Sequence, residues 1–96
     1  MITERSVVKA GAHNVSVDLD AESVILDTTS GTYFGVDTVG KRIWELVAVP
    51  RTVSAIHVTL TDEFDVEPSR CLADLLQFLS ALSAEGLIDV REEPSS

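Results

Sequence analysis

An α+β fold, a three-stranded antiparallel N-terminal sheet followed by three helices, is what this sequence of 96 residues predicts. Three observations lead there: strand-like alternation confined to the first third, helical spacing of apolar residues after Asp37, and turn or cap residues at each junction. Two helices joined by a tight turn beside a β-ribbon make the arrangement a winged helix-turn-helix.

In His13–Asp20, Val15, Val17 and Leu19 alternate with polar residues, the period of a half-buried strand. After a break at Ala21–Glu22, Ser23–Asp27 is apolar and β-branched and forms the second strand. Thr28 to Gly31 supply turn chemistry, and Thr32–Val36 makes the third strand. Asp37 or Thr38 caps a helix carrying Val39, Ile43, Leu46 and Val47 on one face, and Pro50 ends it near Val49. Thr52 caps a second helix with Val53, Ile56, Leu60 and Phe64 on one side. Pro68 opens a third helix that runs to about Glu85, where Gly86 suits a left-handed C-cap. Leu87–Val90 reads as a short returning strand, and Arg91–Ser96 as a polar, mobile tail.

Composition places the whole chain, 1–96, in a single domain: 45% apolar residues and 24% charged ones support a packed core. No apolar run approaches a membrane span, and the first residues lack the apolar stretch of a secretory signal, so a cytoplasmic location is expected. The single cysteine, Cys71, has no partner for a disulfide or a multi-thiolate metal site. The net charge of −9 is uneven, with nine acids against two bases after residue 60. That field repels phosphate backbones and anionic lipid, and neither nucleic acid nor membrane is expected as a partner.

Residues Gly31-Thr32-Tyr33-Phe34-Gly35-Val36-Asp37-Thr38-Val39-Gly40-Lys41-Arg42-Ile43-Trp44-Glu45-Leu46 resemble the PqqD-like family, with its Gly-x-Tyr-aromatic strand and Gly-x-x-Ile-Trp helix. Pro50-Arg51-Thr52-Val53 and Ala84-Glu85-Gly86-Leu87-Ile88 extend the match over roughly 13 to 90. Each motif alone is weak; their joint order and spacing carry the resemblance. It implies a winged helix-turn-helix recognition element for ribosomally synthesised, post-translationally modified peptides. The leader of a precursor peptide would lie as an extra antiparallel strand on the third strand, facing helix three. The free-standing form resembles the recognition subunit of lasso-peptide biosynthesis. A Tyr-x-x-Pro leader motif would occupy the groove, and a leader peptidase and an ATP-dependent cyclase would do the chemistry.

On a helical wheel the apolar residues of helix three, Phe78, Cys71, Leu82, Leu75, Leu79, Leu72 and Leu76, span an arc of about 160°, wider than the roughly 100° that packing one face needs. Either all seven pack internally, or one rim, Phe78, Cys71 and Leu82 with Leu75 beside it, walls a groove. On the third strand Thr32, Phe34 and Val36 point one way and Tyr33 and Gly35 the other; the sequence leaves open which set faces the helices. Gly35 permits close approach of another backbone or marks a bulge. Between Thr32 and Val36 there is neither charge nor proline to blunt an edge. With Asp74 on the same helix, the candidate peptide-binding set is Thr32, Tyr33, Phe34, Gly35, Val36, Cys71, Asp74, Leu75, Phe78 and Leu82. Trp44 reads as a boundary core residue, and Lys41 and Arg42 as a solvated face.

Catalysis is not expected. Cys71 lies on the apolar arc, His13 and His57 are not placed as its base, and no glycine-rich phosphate loop or metal-ligand spacing occurs, so no cofactor or metal is implied. The remaining alternatives are a winged-helix adaptor for a folded partner and a DNA-binding regulator. Against the latter, the solvent face of helix three (Ala73, Asp74, Gln77, Ser80, Ala81, Ala84, Glu85) carries no lysine or arginine.

Overall fold

The computed structural model describes residues 2–19 and 22–92. In chain order the elements are β1 (Ser6–Ala10), β2 (Asn14–Leu19), β3 (Glu22–Asp27), β4 (Tyr33–Val36), α1 (Thr38–Leu46), β5 (Arg51–Thr52), α2 (Val53–Glu63), α3 (Pro68–Ala84) and β6 (Ile88–Glu92). The mixed α+β class with three helices and antiparallel sheets follows the sequence expectation.

The meander β2-β3-β4 is one of two sheets. Asn14 pairs with Asp27 and Val17 with Val24, while Ser23 pairs with Val36 and Leu26 with Tyr33. The β3–β4 turn is closed by Asp27, whose Oδ1 accepts from Thr29 N at 2.9 Å and whose carbonyl accepts from Gly31 N at 2.8 Å. Gly31 takes φ 76°, the left-handed conformation that this turn requires. The third strand starts one residue later than the sequence predicts, at Tyr33.

The second sheet, β5-β1-β6, was not predicted. Its central strand β1 pairs with β6 (Val8 with Val90) and with the two-residue β5 (Val7 with Thr52). Ser6 and Val8 are buried while Lys9 is exposed, so β1 obeys the two-residue period. The returning strand extends through Arg91 and Glu92, which were expected in the tail, and Glu22, expected in the break, begins β3; the rest of the tail, 93–96, Asp20 at the end of the expected first strand and Ala21 of the break lie outside the described residues.

Caps set the helix starts. Asp37 Oδ1 accepts from Gly40 N at 2.7 Å, Thr52 Oγ1 from Ala55 N at 3.1 Å, and the Glu67 carboxylate from Arg70 N at 2.8 Å. Pro68 occupies the first turn of α3, where its missing N–H costs nothing. Gly86, at φ 73°, closes α3: Leu87 N donates to Leu82 O and Gly86 N to Ser83 O, the two bonds of a Schellman C-cap. α1 ends at Leu46, three residues before the expected Val49.

Ile25, Ile43, Val53, Ile56, Leu60, Leu75, Leu79 and Leu82 form the centre of one core that takes a contribution from both sheets through Ile25 and Val8. Trp44 is buried in it. Lys41 and Arg42 are not simply a solvated face. Lys41 Nζ meets Asp18 Oδ1 at 2.8 Å, and Arg42 makes two 2.8 Å bonds to the Glu63 carboxylate. The two cations thus tie α1 to β2 on one side and to the end of α2 on the other.

Candidate functional site: a groove between α1 and α3

The alternation along β4 resolves the orientation that sequence left open. Phe34 and Val36 are partly buried and pack on the core, whereas Gly35 is exposed and Tyr33 is 72% exposed. β4 pairs only with β3 in its sheet, so its outer edge is unpaired among the described residues. The β3–β4 register runs one to one through Val24–Gly35, so Gly35 is not a bulge. A Cβ at Gly35 would meet nothing within 4 Å, and a second backbone has room beside it.

From β4 the chain passes through Asp37 directly into α1, and there a groove of about 640 Å3 opens between α1 and α3. α1 contributes Val39, Gly40 and Ile43; α3 contributes Arg70, Cys71, Asp74, Leu75, Gln77, Phe78 and Ala81; Leu60, Val66 and Glu67 close the end near the α2–α3 turn. The lining is mainly apolar, with charge confined to Asp37, Glu67, Arg70 and Asp74. Such a surface, apolar with a few polar groups, is typical of ligand sites.

Phe78 joins the groove to the strand edge. Its ring meets Phe34 edge to face, with centroids 6.1 Å apart and planes at 69°. Gly40 makes this junction possible: a Cβ there would stand 3.1 Å from Val36 Cβ and 3.2 Å from both Asp37 Oδ1 and Phe78 Cζ. A side chain on Gly40 would hold α1 away from β4 and α3 together.

Of the residues expected to bind peptide, the groove brings together Cys71, Asp74, Leu75 and Phe78. Thr32, Tyr33 and Phe34 line a separate small pocket of about 30 Å3 with Asp27, Glu85 and Leu87, and Gly35 and Val36 continue the β4 strand. Leu82 lies elsewhere: at 0% exposure it is a core residue, and it does not line the groove. It lies one turn past Phe78, where the Schellman cap folds the chain back over it at Leu87. The α1 wall and Val66 were missed, because Val39 and Ile43 read as core and Val66 as part of a turn. The glycine motif at Gly40 was the available signal.

The chemistry of the groove is that of contact. Burial, and secondarily the charge of Asp74, pushes the Cys71 thiol above its ordinary value, so it stays protonated at neutral pH and is a poor nucleophile. His57 hydrogen-bonds through Nε2 to Pro68 O and neither histidine lines the groove. Among the described residues there is no group of three or more His, Cys, Asp or Glu side chains suited to a metal, and no helix is long and apolar enough to cross a membrane.

A small α+β domain with a free strand edge beside an apolar cleft has the features of a peptide-binding module. The chain belongs to the PqqD family: the family model "Coenzyme PQQ synthesis protein D (PqqD)" matches residues 22–88. Among solved structures it is similar to TbiB1 in complex with the TbiA(beta) leader peptide, at 36% identity and TM-score 0.73 over 84% of this chain and 94% of that one. It also shares the fold of a lasso peptide synthetase B1 complexed with its leader peptide, at 20% identity and TM-score 0.73 over 85% and 96% of the two chains. No curated protein matches.

Proposed function

We propose that this chain is a non-catalytic recognition element for the leader of a ribosomally made precursor peptide in lasso-peptide biosynthesis. The leader adds as an antiparallel strand to β4 and sends side chains of one face into the α1–α3 groove. The bound leader is then presented to a leader peptidase and an ATP-dependent cyclase. The observation that carries the reading is an unpaired β4 edge whose Phe34 meets Phe78 in the wall of an apolar groove of about 640 Å3. The 36% identity to TbiB1, whose structure holds a leader peptide, supports the choice of occupant. The apolar floor around Phe78 suits the aromatic and proline of a Tyr-x-x-Pro motif. On this reading the domain is a winged helix-turn-helix whose wing is the β6 region. Its long helix is poorly suited to nucleic acid: Arg70 in the first turn is the one exposed cation of α3, and Ala73, Asp74, Gln77, Ser80 and Ala84 offer none to a phosphate.

The test is fluorescence anisotropy with a labelled synthetic lasso-precursor leader carrying a Tyr-x-x-Pro motif, followed by amide hydrogen exchange. Saturable binding with new protection of amides in Tyr33–Val36 is expected. Binding without any protection of β4 would refute strand addition, and absence of binding would refute the leader reading.

A further inference from the structure

Strand addition by itself does not select a register. A peptide slipped by two residues keeps its backbone hydrogen bonds and presents the same face, so the register has to be read by side chains. Four charged residues border the groove, three carboxylates and one guanidinium. Two of the carboxylates are committed within the fold. Asp37 caps α1 through Gly40 N, and Glu67 caps α3 by accepting from Ser69 and Arg70 N–H groups. Arg70 lies beside Glu67, and its charge helps hold that carboxyl below its ordinary value.

Asp74 is different. Among the described residues it makes neither an ion pair nor a side-chain hydrogen bond. It stands at the seventh position of the 17-residue α3, beyond the first turn where helix N–H groups compensate a negative charge. Its field reaches the Cys71 thiol, so it acts inward on the groove as well as outward on solvent. One helical turn further on lies Phe78, which offers an apolar ring next to the carboxylate. A long side chain with an apolar stem and a cationic end matches that sequence of surfaces.

We propose that Asp74 is the register-reading residue of the groove: it pairs with a lysine or arginine of the bound peptide whose methylenes lie along Phe78. This rests on the leader reading above and adds to it the chemical class of one peptide position. A slipped peptide leaves Asp74 covered and unpaired, so discrimination arises from the penalty on wrong registers as much as from attraction in the right one.

The experiment uses the same labelled leader, replaced position by position with lysine and, separately, with glutamate. Each peptide is titrated against the wild-type protein, Asp74→Asn and Asp74→Lys, with circular dichroism confirming that both variants fold. For the wild type, one position should favour lysine over glutamate by about tenfold in Kd, a contrast of attraction against repulsion in a partly enclosed pair. That ratio should fall to near one in Asp74→Asn and invert in Asp74→Lys, and higher salt should shrink it. A ratio that persists unchanged in Asp74→Asn overturns the assignment, as does a wild-type protein that binds the leader but discriminates at no position. If the unmodified leader does not bind the wild type at all, the leader reading falls and this assignment with it.

Discussion

Phe78→Ala separates the contribution of one ring to the fold from its contribution to the site. The ring has two dependents: Phe34, met edge to face at 6.1 Å, and whatever enters the groove that Phe78 lines. Truncating a fully buried phenylalanine costs about 3–5 kcal/mol. Phe78 is only partly buried, so about 2 kcal/mol of stability is expected, of which the aromatic pair accounts for about 0.5–1.5. Urea unfolding measures that loss. Leader affinity, measured by anisotropy at a temperature where the variant is still folded, should fall by about 1–3 kcal/mol, or roughly 5- to 150-fold, as for a central aromatic anchor. A cycle combining Phe34→Leu with Phe78→Leu should return a coupling of about 0.5–1.5 kcal/mol in stability. A folded Phe78→Ala protein with wild-type affinity would refute the placement of the peptide. A variant that fails to fold would place the ring in the core instead of at its edge.

Other expectations follow from the same geometry. Leu82→Ala should cost about 2–5 kcal/mol in unfolding free energy, because Leu82 is fully buried, while the affinity of the folded variant stays near wild type; a selective loss of binding would return Leu82 to the groove. Gly40→Ala gains about 1 kcal/mol of helix propensity but brings a methyl within 3.2 Å of Val36, Asp37 and Phe78. Overpacking of this kind costs about 1–3 kcal/mol. Net destabilisation with weakened leader binding is expected, and a more stable variant with unchanged affinity would refute the close-approach argument. The pH dependence has a definite sign. Asp18 is held below its ordinary value by the hydrogen bond from Lys41, Asp27 by the Thr29 N–H, Glu63 by Arg42, and Glu67 by the Ser69 hydroxyl. Each takes up a proton more readily in the unfolded chain, so its stabilisation is complete above the ordinary carboxylate pKa and is lost as pH falls through the lowered folded value. Thermal scans should show Tm nearly constant from neutrality to about pH 5 and falling below about pH 4; a Tm that rises on acidification would contradict the assigned pairs.

How much was legible in the sequence depended on how local the cause was. The caps at Asp37, Thr52 and Pro68 and the glycine at Gly86 act within one turn, and they mark the helix ends to within a few residues. The strand β1 was not legible. In Ser6-Val7-Val8-Lys9-Ala10 polar Ser6 shares the buried face with Val8, so apolar and polar residues do not alternate; the strand state comes from pairing with β6, about eighty residues away, and with a two-residue β5. At the site, the seven residues of the wide apolar arc of α3 divide by depth: Cys71, Leu75, Leu79 and Leu82 are buried, while Phe78, Leu72 and Leu76 pack against the core partly exposed. The wheel could not separate Phe78 from Leu82, since it records rotation and not position along the axis.

Period, capping chemistry and composition in the sequence by itself therefore determined the meander, the three helices, the acidic field and the wide apolar face of α3. Only the tertiary structure decided which face of β4 turns inward, that Leu82 lies under the returning chain, and that Gly40 lets α1 close against Phe78 to complete the groove. The physical reason is that alternate residues of a strand are equivalent until a partner covers one side. A groove, likewise, belongs to no single element; it is the space left when two helices and a strand edge meet as closely as their side chains allow.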